Sequence, residues 1–194
     1  MAQPLPWRER ADEGVRAMLT KGQIGQYLIE MSDRLAAQGA RGEVVLCGGA
    51  VMALVYDARP STKDVDALFA PTAVIRDIAK AMAEEHGLEQ DWFNDAAKGF
   101  IDTSRMGFED VVAFSHLRVR RPGDEEMLAL KLASAREDSM DAEDAVFLMG
   151  VVGVESIEQV YGIIERHIPA QRLTPMASFF AQEMFARYQA RQRG

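Results

Sequence analysis

The chain has 194 residues, 48% of them hydrophobic and 27% charged, with a formal net charge of −8. This is enough apolar material for one domain, or one compact domain with a helical extension, and it excludes a disordered chain. The acidity argues against indiscriminate binding to a nucleic acid backbone. The single cysteine, Cys47, leaves no internal disulfide and points to an intracellular, cytoplasmic setting. The opening "MAQPLPWRERADEG" has no apolar signal-peptide core, and no apolar run is long enough to span a membrane, so no membrane partner is expected.

In chain order, residues 1–11 carry two prolines and read as loose. The stretch 12–39 reads as a helix, with Ile24, Leu28, Met31 and Leu35 at helical spacing and Gly39 as its stop. "EVVLC" is a buried strand between Gly42 and Gly48, and "AVMALVYD" a helix starting on the glycine pair. "ARPST" reads as a turn, since Pro60 biases Arg59 away from helical backbone. "KDVDALFA" is the second strand, and 72–86 an amphipathic helix with Val74, Ile78, Ala81 and Met82 on one face and Gly87 as its stop. "LEQDWF" and "DVVAFSHLRVRRP" are strand-like, the second broken near Ser115 and His116. From Asp124 onward four helical segments follow. The last carries Met176, Phe179, Phe180, Met184, Phe185 and Tyr188, a broad apolar face that must bury against the body or a partner. The fold class expected is α/β (α+β), a mixed sheet flanked by helices in residues 1–122, then a helical region in 123–194.

The chemistry concentrates in "LCGGAVMALVYDARPSTKDVDALF", residues 46–69. Residues two apart on a strand share a face, so Asp64 and Asp66 form one acidic patch while Val65 faces the core. Carboxylates that close repel, and a divalent cation relieves the repulsion; Mg²⁺ is commonly held by one or two carboxylates plus substrate phosphates. Asp-x-Asp also suits two exposed acids on an edge strand. Gly48 and Gly49 leave room for a phosphate to approach the backbone, or serve a tight turn. The stretch lacks the third glycine of a dinucleotide fingerprint and the Gly-Lys-Ser/Thr of a P-loop. The histidines His86, His116 and His167 show no metal-ligand spacing, and no Gly-x-Ser-x-Gly occurs.

The order "CGG", a helix-length spacer and "STKDVDALF" resembles the nucleotidyltransferase superfamily that includes DNA polymerase β-like enzymes. The pattern "GGxA…R-x-S/T-x-D-x-D" is most similar to small bacterial AbiEii-like nucleotidyltransferases, some of them toxins of toxin–antitoxin pairs. It falls on Gly48, Gly49, Arg59, Ser61 or Thr62, Asp64 and Asp66, and the likeness runs on through "WFNDAAKGF" and "LALKLASARED…DAEDAVFL". The resemblance implies a polymerase β-like fold and a transfer of NMP from a nucleoside triphosphate to a hydroxyl of an RNA such as tRNA, a protein or a small molecule. It implies that Asp64 and Asp66 bind Mg²⁺ or Mn²⁺, that Gly48, Gly49 and Ser61 or Thr62 hold the triphosphate, and that a third carboxylate completes the site. Asp95, at the end of the strand after helix 72–86, is the first choice for that carboxylate, with Asp110 the runner-up.

Lys131 lies on a mostly apolar helix face, a costly place unless it meets an acid or a phosphate. The matching "K-x-x-A" context of the similar proteins implies service to the active site, toward the phosphates or an acidic residue; a snorkelling lysine is the alternative. Arg136, Asp141 and Asp144 read as a helix-capping and salt-bridge set. Lys98 reads as a loop lysine that can also reach the cleft. Arg118, Arg120 and Arg121 make a basic stripe, either for an RNA acceptor or triphosphate or on a charge-protected edge strand. The alternative to catalysis is a nucleotidyltransferase-fold binding protein with impaired turnover and a cognate protein partner, as in a toxin–antitoxin pair.

Overall fold

A computed structural model describes residues 18–99, 101–134 and 139–193. A short strand β1 (Leu19–Thr20) leads into α1 (Lys21–Ala37), then β2 (Gly42–Leu46), α2 (Gly48–Leu54), β3 (Ser61–Thr62), β4 (Val65–Ala70), α3 (Thr72–His86) and β5 (Phe93–Asn94). A hairpin of β6 (Phe108–Ala113) and β7 (Leu117–Pro122) follows, then α4 (Asp124–Ser134), α5 (Ser139–Val152), α6 (Ile157–His167) and α7 (Pro175–Arg193). The main sheet has five strands in the order β5-β4-β2-β7-β6, with β2 antiparallel to β4 and parallel to β7. A separate two-stranded ladder pairs β1 with β3. The fold is a mixed α/β sheet with a helical region after it.

α1 starts where Thr20 and Gln23 form a reciprocal capping box, which satisfies two otherwise orphaned amides. The stretch expected as helix from residue 12 thus turns helical at Lys21, after two extended residues; residues 1–17 lie outside the described residues. Its core face is Ile24, Leu28, Met31 and Leu35, all 3% exposed or less. On α3 the buried set is Ile75, Ile78, Ala79, Met82 and Ala83. The expected face of Val74, Ile78, Ala81 and Met82 is therefore rotated by about one residue, and Trp92 fixes the observed orientation by donating its indole N–H to the Ala79 carbonyl at 2.9 Å.

On β2 and β4 the residues Val44, Leu46, Val65 and Ala67 are fully buried. The opposite face carries Glu43, Val45, Asp66 and Leu68, and the register continues it through Arg118 and Arg120 of β7 to Asp110 of β6. "LEQDWF" yields only the two-residue strand β5, because Glu89 to Trp92 form a turn with Trp92 N–H on the Glu89 carbonyl. "ARPST" is more than a turn, since Ser61 and Thr62 pair with Thr20 and Leu19.

One contiguous apolar core joins the sheet half to the helical half, from Leu19 to Phe185. On α7 the buried residues are Ala177, Ala181, Met184 and Phe185, while Phe179 is 68% exposed and Met176 56%. The broad apolar face expected of this helix is corrected at Met176 and Phe179: the helix buries Ala177, Ala181, Met184 and Phe185 and turns these two side chains outward. No single described helix is long and apolar enough to cross a membrane.

Leu35 is fully buried, and its Cδ1 lies 2.8 Å from where a side chain on Gly42 would begin. Leu35→Ala opens a cavity beneath β2 and is expected to cost about 2–5 kcal/mol in urea unfolding.

Candidate functional site

The β2–β4 register builds the site. Leu46 pairs with Ala67, and the next step brings Cys47 N–H onto the Asp66 carbonyl at 2.8 Å. The chain then turns at Gly48, whose φ of +55° is left-handed and favours glycine. A side chain there would begin 3.0 Å from Asp66 Oδ2, so the Asp66 carboxylate lies directly against the Gly48 backbone. Asp64 immediately precedes β4; it and Asp66 are part-exposed while Val65 between them is buried. The exposure alternates as expected of the acid pair, and Asp66 is the acid beside Gly48.

Gly49 faces a second group. A side chain on it would begin 2.3 Å from Thr62 Oγ1 and 3.2 Å from a terminal nitrogen (Nη1) of Arg59. Of the two hydroxyls expected here, Thr62 is the one against the glycine, and it is 4% exposed. Ser61 lies on the neighbouring position of β3, paired with Thr20.

Arg59 is the start of a buried charge network. Its Nη2 pairs with Asp144 on α5, and its side chain is 11% exposed. Asp144 also accepts from Lys131 of α4 at 2.8 Å, and Lys131 reaches Asp141 at 2.5 Å. The Lys131 and Asp144 side chains are 8% and 5% exposed. Lys131 thus sits below the surface and is no snorkelling lysine. The structure gives its ammonium to Asp141 and Asp144, whereas an approach to Asp64, Asp66 or Asp95 was the expectation. Its route to the glycine pair runs through Asp144 and Arg59. The salt-bridge reading of Asp141 and Asp144 describes their contacts; Arg136 lies outside the described residues.

Each third-carboxylate position is engaged by an arginine. β5 pairs with β4 in parallel and sets Asn94, not an acid, opposite Asp66. Asp95 follows it and accepts from Arg76 of α3 at 2.8 Å. Asp95 and Lys98 line an open cleft of about 330 Å³ with Leu68, Phe69, Thr72, Ile101 and Thr103. Asp110 is on β6, three strand intervals from β4, roughly 14 Å across the sheet. It accepts two bonds from Arg118, at 2.7 and 2.9 Å, which hold its carboxyl below the usual range. That distance and that pairing keep Asp110 out of the Asp64–Asp66 site.

The expected basic stripe is internally neutralised. Arg118 pairs with Asp110, Arg120 with Glu43 at 3.2 Å, and Arg121 with Glu109 and Asp124, each at 2.7 Å. Arg121 also donates to the Tyr56 hydroxyl and lies over that ring at 5.0 Å. β7 is covered by β2 and β6 on its two sides, so it is not the edge strand the sequence suggested.

Among the described residues no group of three or more His, Cys, Asp or Glu converges as a metal cage. Comparison with protein families, curated proteins and solved structures gives no match to this chain. The residues that sequence reasoning left out of the site are Arg59 and Asp144. Arg59 stood in the quoted motif between the glycines and the acids, and that placement was the available signal. Asp144 was read within a salt-bridge set, and its contacts with Arg59 and Lys131 are of that kind.

Three outcomes follow from this geometry. Burial, with Asp66 adding repulsion, pushes the Cys47 thiol from 9.0 to about 12. Below pH 9 folded and unfolded chains both hold the proton; between 9 and about 12 only the folded chain does. Stability should therefore fall as pH rises through that window, and thermal melts of Cys47→Ala should show a smaller fall than the parent. Gly49→Ala must displace Thr62 and Arg59, so its melting temperature should drop, whereas Gly99→Ala, with open space around it, should melt like the parent. Lys131→Met leaves Asp141 and Asp144 short of a cation and should cost about 3–5 kcal/mol in urea unfolding.

Proposed function

We propose that the chain is a metal-dependent nucleotidyltransferase that moves NMP from a nucleoside triphosphate to a hydroxyl acceptor on an RNA, a protein or a small molecule. The observation that carries this reading is the Asp66 carboxylate lying against the Gly48 backbone, with Asp64 two residues before it. A carboxylate against side-chain-free backbone, with a second acid two residues away, is the kind of arrangement that metal-assisted chemistry on a phosphate uses.

The donor set fits Mg²⁺ or Mn²⁺. Asp64 and Asp66 are hard oxygen ligands, both part-exposed, and two carboxylates with substrate phosphates completing the sphere is a common way to hold Mg²⁺. When bound, the ion would neutralise charge on the phosphates and the leaving group. The chain's own residues do the positioning. Gly48 and Gly49 admit the phosphates close to the backbone, Thr62 presents its hydroxyl over Gly49, and Arg59 adds positive charge at the same place.

Asn94 favours a second reading. A neutral amide stands opposite Asp66, and Asp95 is engaged by Arg76. A two-acid site of this kind supports a protein that binds nucleotide, or a cognate protein, without turnover.

The two readings separate in one assay. The protein is incubated with Mg²⁺ and each α-labelled nucleoside triphosphate, with bulk tRNA, total protein or no acceptor, and label transfer and nucleotide binding are both measured. Transfer that falls by roughly 10²-fold or more in Asp66→Asn, with an unchanged melting temperature, is the expected result. Full activity in both Asp64→Asn and Asp66→Asn removes the metal-site assignment. Binding without transfer by the parent protein selects the second reading.

A further inference from the structure

On the side away from β2, β4 is paired by a strand for only two residues. β5 sets Phe93 against Val65 and Asn94 against Asp66 and then ends. Past that point the chain turns through short 3₁₀ segments at Ala96–Gly99 and Thr103–Arg105 and does not extend the ladder. The cleft of about 330 Å³ lies where the ladder stops. Leu68, Phe69 and Ile101 give it an apolar lining, and Ile101 is only 7% exposed.

The polar groups of the cleft are unequally satisfied. The Asp95 carboxylate accepts from Arg76 at 2.8 Å, and the Thr72 hydroxyl donates to the Phe69 carbonyl at 3.1 Å. Lys98 has no ion pair among the described residues, and the Thr103 hydroxyl has no hydrogen-bond partner among them. Elsewhere the cations are matched: each arginine of β7 pairs with a carboxylate, and Lys131 pairs with two. The acid of the cleft is thus answered within the fold, while an ammonium and a hydroxyl stay open to a ligand. Both can donate a hydrogen bond, and one carries positive charge, so the group they suit is an anion. The apolar lining suits a hydrophobic body attached to it.

Charge sets the valence of that anion. Lys98 matches one negative charge, and a dianion would bring a second beside Asp95 in a chain of formal charge −8. Volume sets its size. At about 30 Å³ for each water-sized group, the cleft takes about ten non-hydrogen atoms.

We propose that this cleft binds a small organic monoanion, a carboxylic acid with an aromatic or branched apolar group. The carboxylate meets Lys98 and Thr103, and the apolar part rests on Leu68, Phe69 and Ile101. The lining includes neither glycine of the pair nor Asp64 or Asp66, and the proposal does not depend on the transferase reading. Leu68 stands two residues past Asp66, about 7 Å along β4, so the two sites are neighbours on one strand.

The test is a nuclear magnetic resonance titration of the nitrogen-labelled full chain, following the backbone amides of Thr72, Ile101 and Thr103. The probes are phenylacetate, the isosteric neutral phenylacetamide, acetate and inorganic phosphate. Phenylacetate should bind at least about tenfold more tightly than phenylacetamide or acetate, since it alone joins the charge to an apolar body. Lys98→Gln changes an exposed side chain and should weaken phenylacetate by about tenfold while phenylacetamide holds; Lys98→Arg should keep most of the affinity. Leu68→Ala should weaken phenylacetate and phenylacetamide alike. Phenylacetamide binding as tightly as phenylacetate overturns the role of charge, and acetate doing so overturns the apolar contact. Tighter binding of phosphate overturns the choice of a monoanion. Undiminished phenylacetate binding by Lys98→Gln, shifts confined to residues outside the cleft, or no shift up to about 10 mM phenylacetate each overturn the site. A protein that transfers label yet binds no probe here loses this proposal and keeps the transferase reading; binding here without transfer does the reverse.

Discussion

The antiparallel register of β2 against β4 is the constraint on which the rest of the site depends. Pairing Leu46 with Ala67 places Cys47 beside Asp66, and only then does the left-handed turn at Gly48 fall against the Asp66 carboxylate. A slip of one residue would exchange the two faces of β4, driving Asp66 into the core and Val65 out of it. The full burial of Val44, Leu46, Val65 and Ala67 prevents that slip, so the hydrophobic effect on one face of the sheet fixes which side chains stand on the other. The site is a by-product of core packing in this limited sense: its acids have no other place to be.

The second tie is electrostatic and runs between the halves of the chain. Arg59 belongs to the loop between α2 and β3, Lys131 to α4, and Asp141 and Asp144 to α5. A buried ion pair is weak ground for net stability, since desolvation offsets much of the attraction, but it is demanding about geometry. Four charges below the surface must find one another, and an arrangement that separated α5 from the 55–60 loop would strand at least two of them. The network thus sets where the helical region sits relative to the glycine pair, while the apolar core around Met127, Leu128 and Leu132 supplies the favourable free energy.

Much of this was legible in the sequence where local rules decide. The core face of α1, the span of α3, the helix starting on the glycine pair and the burial of Val65 between Asp64 and Asp66 all follow from periodicity and from glycine as a break. What was not legible depends on pairing between distant segments. Nothing local says that "LEQDWF" gives only a two-residue strand, that Ser61 and Thr62 pair with Thr20 and Leu19, or that β7 lies inside the sheet. The same holds for charge. Lys131 was marked as unusual because a lysine on an apolar face needs a partner, which is a local argument. Which carboxylates answer it, and that Asp144 answers Arg59 too, depends on how α5 packs against α4 and the 55–60 loop, and no spacing in the chain encodes that.

The distribution of charge bears on the kind of ligand such a site accepts. The chain carries a formal −8, its arginines on β7 are matched by Asp110, Glu43, Glu109 and Asp124, and the buried cations near Gly49 are matched by Asp141 and Asp144. There is accordingly no large positive field to draw a bare polyanion from solution, and the acid pair opposes one at close range. On the proposed reading, a triphosphate is favoured only when it arrives already neutralised in part by its own divalent cation, the same cation Asp64 and Asp66 are suited to hold. On that reading the long-range field opposes any free polyanion, and only close contacts beside the acid pair would favour the metal-bound nucleotide. Discrimination by such a site would arise from the order in which those two forces act, repulsion at a Debye length of about 8 Å and directed hydrogen bonds only on contact.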